Sequence, residues 1–148
     1  MENKDKASRV QQKMFSHDWF SQWLGIECLG TGPGYSKLKM TIRKEMLNGF
    51  GIAHGGITYS LADSALAFAS NSHGRMAVSV ETSISHTEAL KEGDVIVAEA
   101  EEQSLSNKIA VYQIKVKRED GKVVALFKGT VYRTAKEWFP SDTNPIKN

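Results

Sequence analysis

Residues 48–72 read NGFGIAHGGITYSLADSALAFASNS, and the reading of this stretch decides the fold. Charged residues make up 24% of the chain, yet from His54 to Ser72 a single charge, Asp63, stands behind a pair of glycines. Placing residues 57–72 at intervals of about 100° gathers Ile57, Leu61, Ala62, Ala65, Leu66, Phe68 and Ala69 on one broad arc. The pattern predicts a long amphipathic helix that starts near His54 and ends near His73-Gly74, where glycine can close it. The opposite arc holds Tyr59, Ser60, Asp63, Ser64, Ala67, Ser70 and Asn71. Exposed helix faces usually carry Lys, Glu or Arg, whereas this one offers small uncharged groups around one carboxylate. Two readings follow: simple amphipathicity toward solvent, or a face covered by a second copy of the chain across a two-fold axis.

The rest of the chain reads mainly as strands. GIECLGTGPGYSKLKMTI, residues 25–42, looks like two strands around a Gly-Pro-Gly turn, with no Gly-Lys-Ser/Thr to make it a phosphate loop. Four β-like segments follow the helix: MAVSVETSISHTEAL, DVIVAEAEEQSL, KIAVYQIKVKRE and KVVALFKGTVYRT. Their separators KEGD, SN and EDG are hairpin chemistry, so the last three should be antiparallel neighbours. The expected fold class is α+β, with an antiparallel sheet of five or six strands curved around one long helix, its only sizeable cover. Met14 to Leu24 reads as a short amphipathic helix whose Phe15, Trp19, Phe20 and Trp23 form an aromatic stripe, read as core packing or as a lid over an apolar ligand. Residues 1–13 read as a flexible N-terminal tail, 14–135 as one domain and 136–148 as a C-terminal tail.

Composition narrows the function classes. A chain of 148 residues with 41% apolar content suits one soluble domain. The net charge of +2 is too small to imply nucleic acid, and Lys37 with Lys39, like Lys115 with Lys117, alternates as the wet face of a sheet does. No apolar run suits a membrane span and no secretory signal opens the chain, so the expected location is cytoplasmic, away from membranes. Cys28 has no disulfide partner and reads as a small core side chain. The four histidines show no metal-ligand spacing, so no metal is expected.

Gly55 and Gly56 each cost a helix interior about 1 kcal/mol relative to alanine, but in the first turn they leave backbone N–H groups open to close approach. Such amides can hold a carbonyl oxygen that is becoming negative; tight packing of the turn against the sheet explains the glycines equally well. Gly55 and Asp63 lie about 12 Å apart along a helix axis, too far to serve one carbon that needs both groups within roughly 3 Å. If both are catalytic, Gly55 of one subunit works with Asp63 of another.

The Asn, His-Gly-Gly and Leu-Ala-Asp elements, in this order, resemble the central stretch of the PaaI-type acyl-CoA thioesterases, a hotdog-fold family that includes enzymes of phenylacetic acid degradation. The likeness runs from the N-terminal helix through LFKGTVYRT. It implies a hotdog sheet wrapped around its helix, a homodimer through a continuous sheet and commonly a homotetramer. It also implies hydrolysis of an acyl-CoA, aromatic such as phenylacetyl or medium-chain, with coenzyme A as part of the substrate and no separate cofactor. The resemblance makes Asp63 the acidic catalyst, Gly55 the backbone donor, and Asn48 and His54 the flanking polar groups, with Gly56 beside them on the substrate. Ser79 falls where some members place a hydroxyl that helps the Asp hold water. His17 stands where phenylacetate-type relatives often carry an Asn near the acyl group. His86 either lines the acyl or pantetheine channel or is a partly exposed strand histidine. Lys108 sits where relatives often have basic residues near the nucleotide phosphates. An Asp is ionised at neutral pH and a thiol of pKa about 8.5 leaves readily, so no Ser-His-Asp triad is required. The alternatives are a non-catalytic acyl-CoA-binding module and a hydroxyacyl-thioester dehydratase or hydratase pairing His54 with Asp63.

Overall fold

The computed structural model describes residues 2–140. Its elements in chain order are α1 (Glu2–Phe15), α2 (Trp19–Trp23), β1 (Glu27–Gly32), β2 (Tyr35–Thr41), a 3-10 turn (Lys44–Met46), α3 (Gly55–Asn71), β3 (Arg75–His86), β4 (Val95–Leu105), β5 (Ile109–Arg118) and β6 (Val123–Glu137). The strands form one antiparallel sheet in the order β1-β2-β4-β5-β6-β3, the hotdog arrangement with α3 packed against one face. β4, β5 and β6 are neighbours, as their turns require. β3 comes directly after α3 and pairs only with β6, which leaves it at a sheet edge.

Alternation builds the core. Leu38 and Met40 of β2, Ile96, Ala98 and Ala100 of β4, and Tyr112, Ile114 and Val116 of β5 point inward against Leu61, Ala65, Phe68 and Ala69 of α3. Lys115 and Lys117 lie exposed on the other face of β5, as alternation demands. Ser36 Oγ donates to the Ala65 carbonyl at 2.6 Å and tethers β2 to the helix. At Gly129 of β6 the helix comes so near that an added Cβ would lie 2.8 Å from Leu66 Cδ1. Tyr112, fully buried, donates its hydroxyl to Glu102 Oε1 at 2.8 Å, and that oxygen also meets His73 Nε2 at 2.8 Å. Cys28 is half-buried on β1, and desolvation pushes its thiol pKa up, which suits an unreactive side chain.

Both ends depart from expectation. Residues 2–13 are no loose tail but most of α1, because Ala7, Val10 and Met14 share a helical stripe that packs on the domain, Ala7 and Val10 fully. The helix expected from Met14 to Leu24 is broken at Ser16–Asp18, where Asp18 caps α2 by accepting from the Ser21 amide at 3.0 Å. The aromatic stripe is not core: Phe15 packs edge-on against Phe68, but Trp19, Phe20 and Trp23 are 69%, 53% and 64% exposed. At the other end β6 runs to Glu137, Trp138 Nε1 donates to Asn71 Oδ1, and Arg9 and Lys13 lie over the Phe139 ring. The domain therefore extends well beyond 14–135; the remainder of the expected C-terminal tail, 141–148, lies outside the described residues. Among the described residues no helix is long and apolar enough to cross a membrane.

Candidate active site

The loop before α3 is folded by Asn48. Its Oδ1 accepts the Phe50 amide at 2.9 Å and the Ile52 amide at 3.4 Å, while its own amide donates to the Ile52 carbonyl at 2.8 Å. Gly51, at φ +77°, supplies the left-handed residue this tight loop needs. His54 then stands at the N-cap of α3, and its ring folds back so that Nδ1 accepts the Gly56 amide at 2.9 Å. An accepting Nδ1 puts the proton of the neutral ring on Nε2.

This divides the two glycines. Gly56 gives its N–H to His54, and a Cβ on Gly56 would be 3.0 Å from Nδ1, so that glycine accommodates the cap. The Gly55 amide is the first of the helix and has no partner among the described residues. Gly55 lines a cleft of about 360 Å³ together with Asn48, Ala53, Thr58, His86 and Glu88, among others. The His86 ring, delivered by the end of β3, lies against Gly55, where an added Cβ would be 3.1 Å from Nε2. Five residues singled out from the sequence, Asn48, His54, Gly55, Gly56 and His86, are thus grouped at one helix tip.

Asp63 lies two turns further along α3, outside that cleft. It is partly buried, and desolvation first, then the charge of Asp18, holds its carboxyl above the usual carboxylate range. Tyr59, one turn below, hydrogen-bonds through its hydroxyl to that of Thr82, and Asn71 bonds both backbone groups of Ala77, so β3 runs antiparallel to α3. Asp63, about 6 Å along the axis from Tyr59, therefore stands level with the Ser79–Val80 stretch of β3. Ser79 is exposed there. His17 is exposed in the α1–α2 turn, its Nδ1 2.9 Å from Ser16 Oγ. Lys108 is remote from the helix tip. It sits exposed in the β4–β5 turn beside Arg133, whose strand partner Ala77 is nine residues, roughly 30 Å, from His86 along β3.

Part of the polar face of α3 is covered within the chain. Ser64 meets Ser21 of α2 at 2.8 Å, and Asn71 is enclosed by β3 and Trp138. The partly open remainder is Tyr59, bonded to Thr82 of β3, and beside it a narrow strip of Ser60, Asp63 and Ala67. Thr58 and Glu88 in the cleft and the Asp18–Ser21–Ser64 contacts next to Asp63 are not among the residues expected from the sequence. Only the Asp-x-x-Ser spacing of a helix cap signalled the last of these.

The sequence pattern of a family described as the thioesterase superfamily matches residues 50–125, the stretch that holds α3 and strands β3 to β5. This chain belongs to the thioesterase superfamily. It is a thioester hydrolase. A putative esterase of Archaeoglobus fulgidus is 44% identical over 135 residues, 91% of this chain and 88% of the relative. The acyl-coenzyme A thioesterase PaaI of Escherichia coli is 34% identical over 128 residues, 86% of this chain and 91% of the relative. The solved structure of the E. coli PaaI protein from the phenylacetic acid degradation operon superposes with a TM-score of 0.89 at 33% identity, covering 90% of this chain and 97% of that one. The superfamily's fold therefore accounts for nearly the whole described chain.

Proposed function

We propose that the protein hydrolyses acyl-CoA thioesters at a site shared between two copies of the chain. The observation that carries this reading is the spacing on α3: an open amide at Gly55 and a half-buried carboxylate at Asp63, about 12 Å apart, each lacking the other's chemistry. A two-fold axis beside the Ser60–Asp63–Ala67 strip brings the Gly55 tip of one helix to the Asp63 of its partner, giving two equivalent sites. The edge strand β3 supports such pairing, since Val78 and Val80 are 56% and 59% exposed on it. The name of the E. coli relative supports the choice of acyl-CoA, and the operon of its structure supports an aromatic acyl group.

In this site the thioester carbonyl oxygen accepts the Gly55 N–H, with the Asn48 carboxamide and His86 bordering the cleft. Asp63 of the other copy takes a proton from water as the water oxygen attacks the carbonyl carbon, or attacks that carbon itself to form an acyl-Asp anhydride that water then hydrolyses to the free acid, restoring the carboxylate. Collapse of the tetrahedral intermediate breaks the C–S bond, and the electron pair leaves on sulfur as the CoA thiolate. Ser79, level with Asp63, helps hold the water; in the copy that supplies Asp63, His17 borders the acyl group and Lys108, too far from the helix tip of its own chain, borders the nucleotide phosphates. Gly56 contributes through the His54 cap, which fixes the helix tip and keeps the neighbouring Gly55 amide as the open donor.

The test is thiol release from benzoyl-, phenylacetyl- and medium-chain acyl-CoAs. Asp63→Asn should lower turnover by about 10² to 10⁴ as the base is lost, with binding retained. Tight binding of the panel without thiol release from the wild type would overturn the reading.

A further inference from the structure

The contacts between α2 and α3 lie next to Asp63 and away from the helix-tip cleft. Asp18 Oδ1 accepts the Ser21 amide at 3.0 Å and Oδ2 accepts the Ser21 hydroxyl at 2.6 Å. Ser21 Oγ is in turn 2.8 Å from Ser64 Oγ. As a carboxylate Asp18 only accepts, so the Ser21 proton is committed to it and the Ser21 oxygen must accept the Ser64 proton. Two rotatable hydroxyls acquire one direction. Ser21 is 1% and Ser64 9% exposed, which leaves water little room to replace either bond.

A helix cap requires only the Ser21 amide contact. The second carboxylate oxygen and the two hydroxyls go further, tying a five-residue helix with three exposed aromatic side chains to the turn of α3 that carries Asp63. The same geometry sets one carboxylate near another. The titratable groups on the neighbouring stretches are Tyr59 one turn away on α3, whose hydroxyl is bonded to that of Thr82, His17 and Asp18 just before α2, and Glu81 of β3. Of these, Asp18 is the one whose charge acts on Asp63, in the same direction as burial.

We propose that Asp18 is a positioning residue for Asp63: through Ser21 and Ser64 it fixes α2 against the Asp63 turn, and it keeps a second negative charge beside the reacting carboxylate. The catalytic consequence rests on the proposed role of Asp63 in thioester hydrolysis; the coupling between the two carboxyls does not. A negative neighbour disfavours ionised Asp63, so Asp63 holds a proton more tightly and is the stronger base for it.

Asp18→Asn removes the charge and keeps the oxygen that caps the Ser21 amide, while its NH2 in place of Oδ2 turns the Ser21 hydroxyl round to donate to Ser64, so the tie between α2 and α3 survives in the reverse direction. Asp18→Ser, another competent cap, is the second probe. The direct readout is a carbon NMR titration of the Asp63 carboxyl, which needs no turnover. In both variants the midpoint should move to lower pH than in the wild type, and the acid limb of kcat/KM should move the same way. Plateau kcat should fall by about 3- to 10-fold as the base weakens. Ser64→Ala cuts the latch but leaves the charge: the midpoint should stay near the wild type while α2 amides exchange faster. An unmoved Asp63 midpoint in the charge-removing variants overturns the proposal, and if thioester is still hydrolysed the function stands. A moved midpoint in a protein that hydrolyses no thioester supports the coupling and overturns only the function.

Discussion

The fold works against the charge on Asp63. Burial and the Asp18 charge raise its carboxyl pKa above the ordinary value of 3.8, so the ionised form is disfavoured by folding. Between that value and the raised one, the folded chain binds a proton that the unfolded chain has lost. Stability therefore falls as pH rises through this window, and the cost is fully present once the pH is above the raised pKa. Asp63→Asn should for that reason raise Tm at pH 7, on the order of 1–3 °C, while abolishing most activity. Paired melting curves should show the gain shrinking as the pH approaches 3.8 and the wild-type group protonates. An equal gain at every pH would mean that Asn improves packing and that Asp63 carries no electrostatic cost. At the same scale, the helix rise alone separates Gly55 from Asp63, so that distance was legible in the sequence. The division of labour between Gly55 and Gly56 was not, since it depends on the rotamer that turns His54 onto the second amide.

Elements were legible where one chemical pattern ran unopposed. α3 is announced by its apolar arc and glycine entry, and β4 to β6 by alternation between turn residues. α1 was hidden because three apolar residues among many charges carry its packing face. α2 misled in the opposite sense: aromatic residues at helical spacing suggest a core, yet here the helix is pinned by Ser21 and presents its rings outward. The placement of His86 on Gly55 joins two residues 31 positions apart, at opposite ends of consecutive elements, and nothing local to either segment encodes it. The fit of α3 to the sheet is also tertiary, and Gly129 shows how close it is. Leu66, 1% exposed, occupies the space above that glycine, so Gly129→Ala forces a buried side chain out of place. The expected loss is about 1–3 kcal/mol, seen as a lower urea midpoint at an unchanged slope. Adding Leu66→Val to make room should return part of it. If the double variant loses the sum of both single losses, the two positions are not packed as described here.

On the scale of the whole molecule, one chain carries each half of the proposed site at a different height on α3, and the edge strand β3, paired on one side only among the described residues, runs beside that helix. Sharing between copies makes a quantitative prediction. Gly55→Pro deletes the amide with little harm to the backbone: Pro suits the first helical position, and His54 at ψ 137° already has the extended conformation that a residue before proline prefers. Its ring carbon also presses on His86, so Gly55→Ala, which adds a Cβ there but keeps the N–H, is the control. Gly55→Pro and Asp63→Asn chains should each be nearly inactive alone. When they are unfolded, mixed in equal amounts and refolded, half of the dimers should be mixed, and each mixed dimer holds one site with both an intact amide and an intact carboxylate. Activity should return to about a quarter of the wild-type value. Replacing Asp63→Asn by a chain that carries both substitutions should remove the recovery, since no pairing then completes a site. Recovery absent from the first mixture, with mixed dimers verified by mass, would place both groups on the same chain and require α3 to bend far from the straight helix seen here.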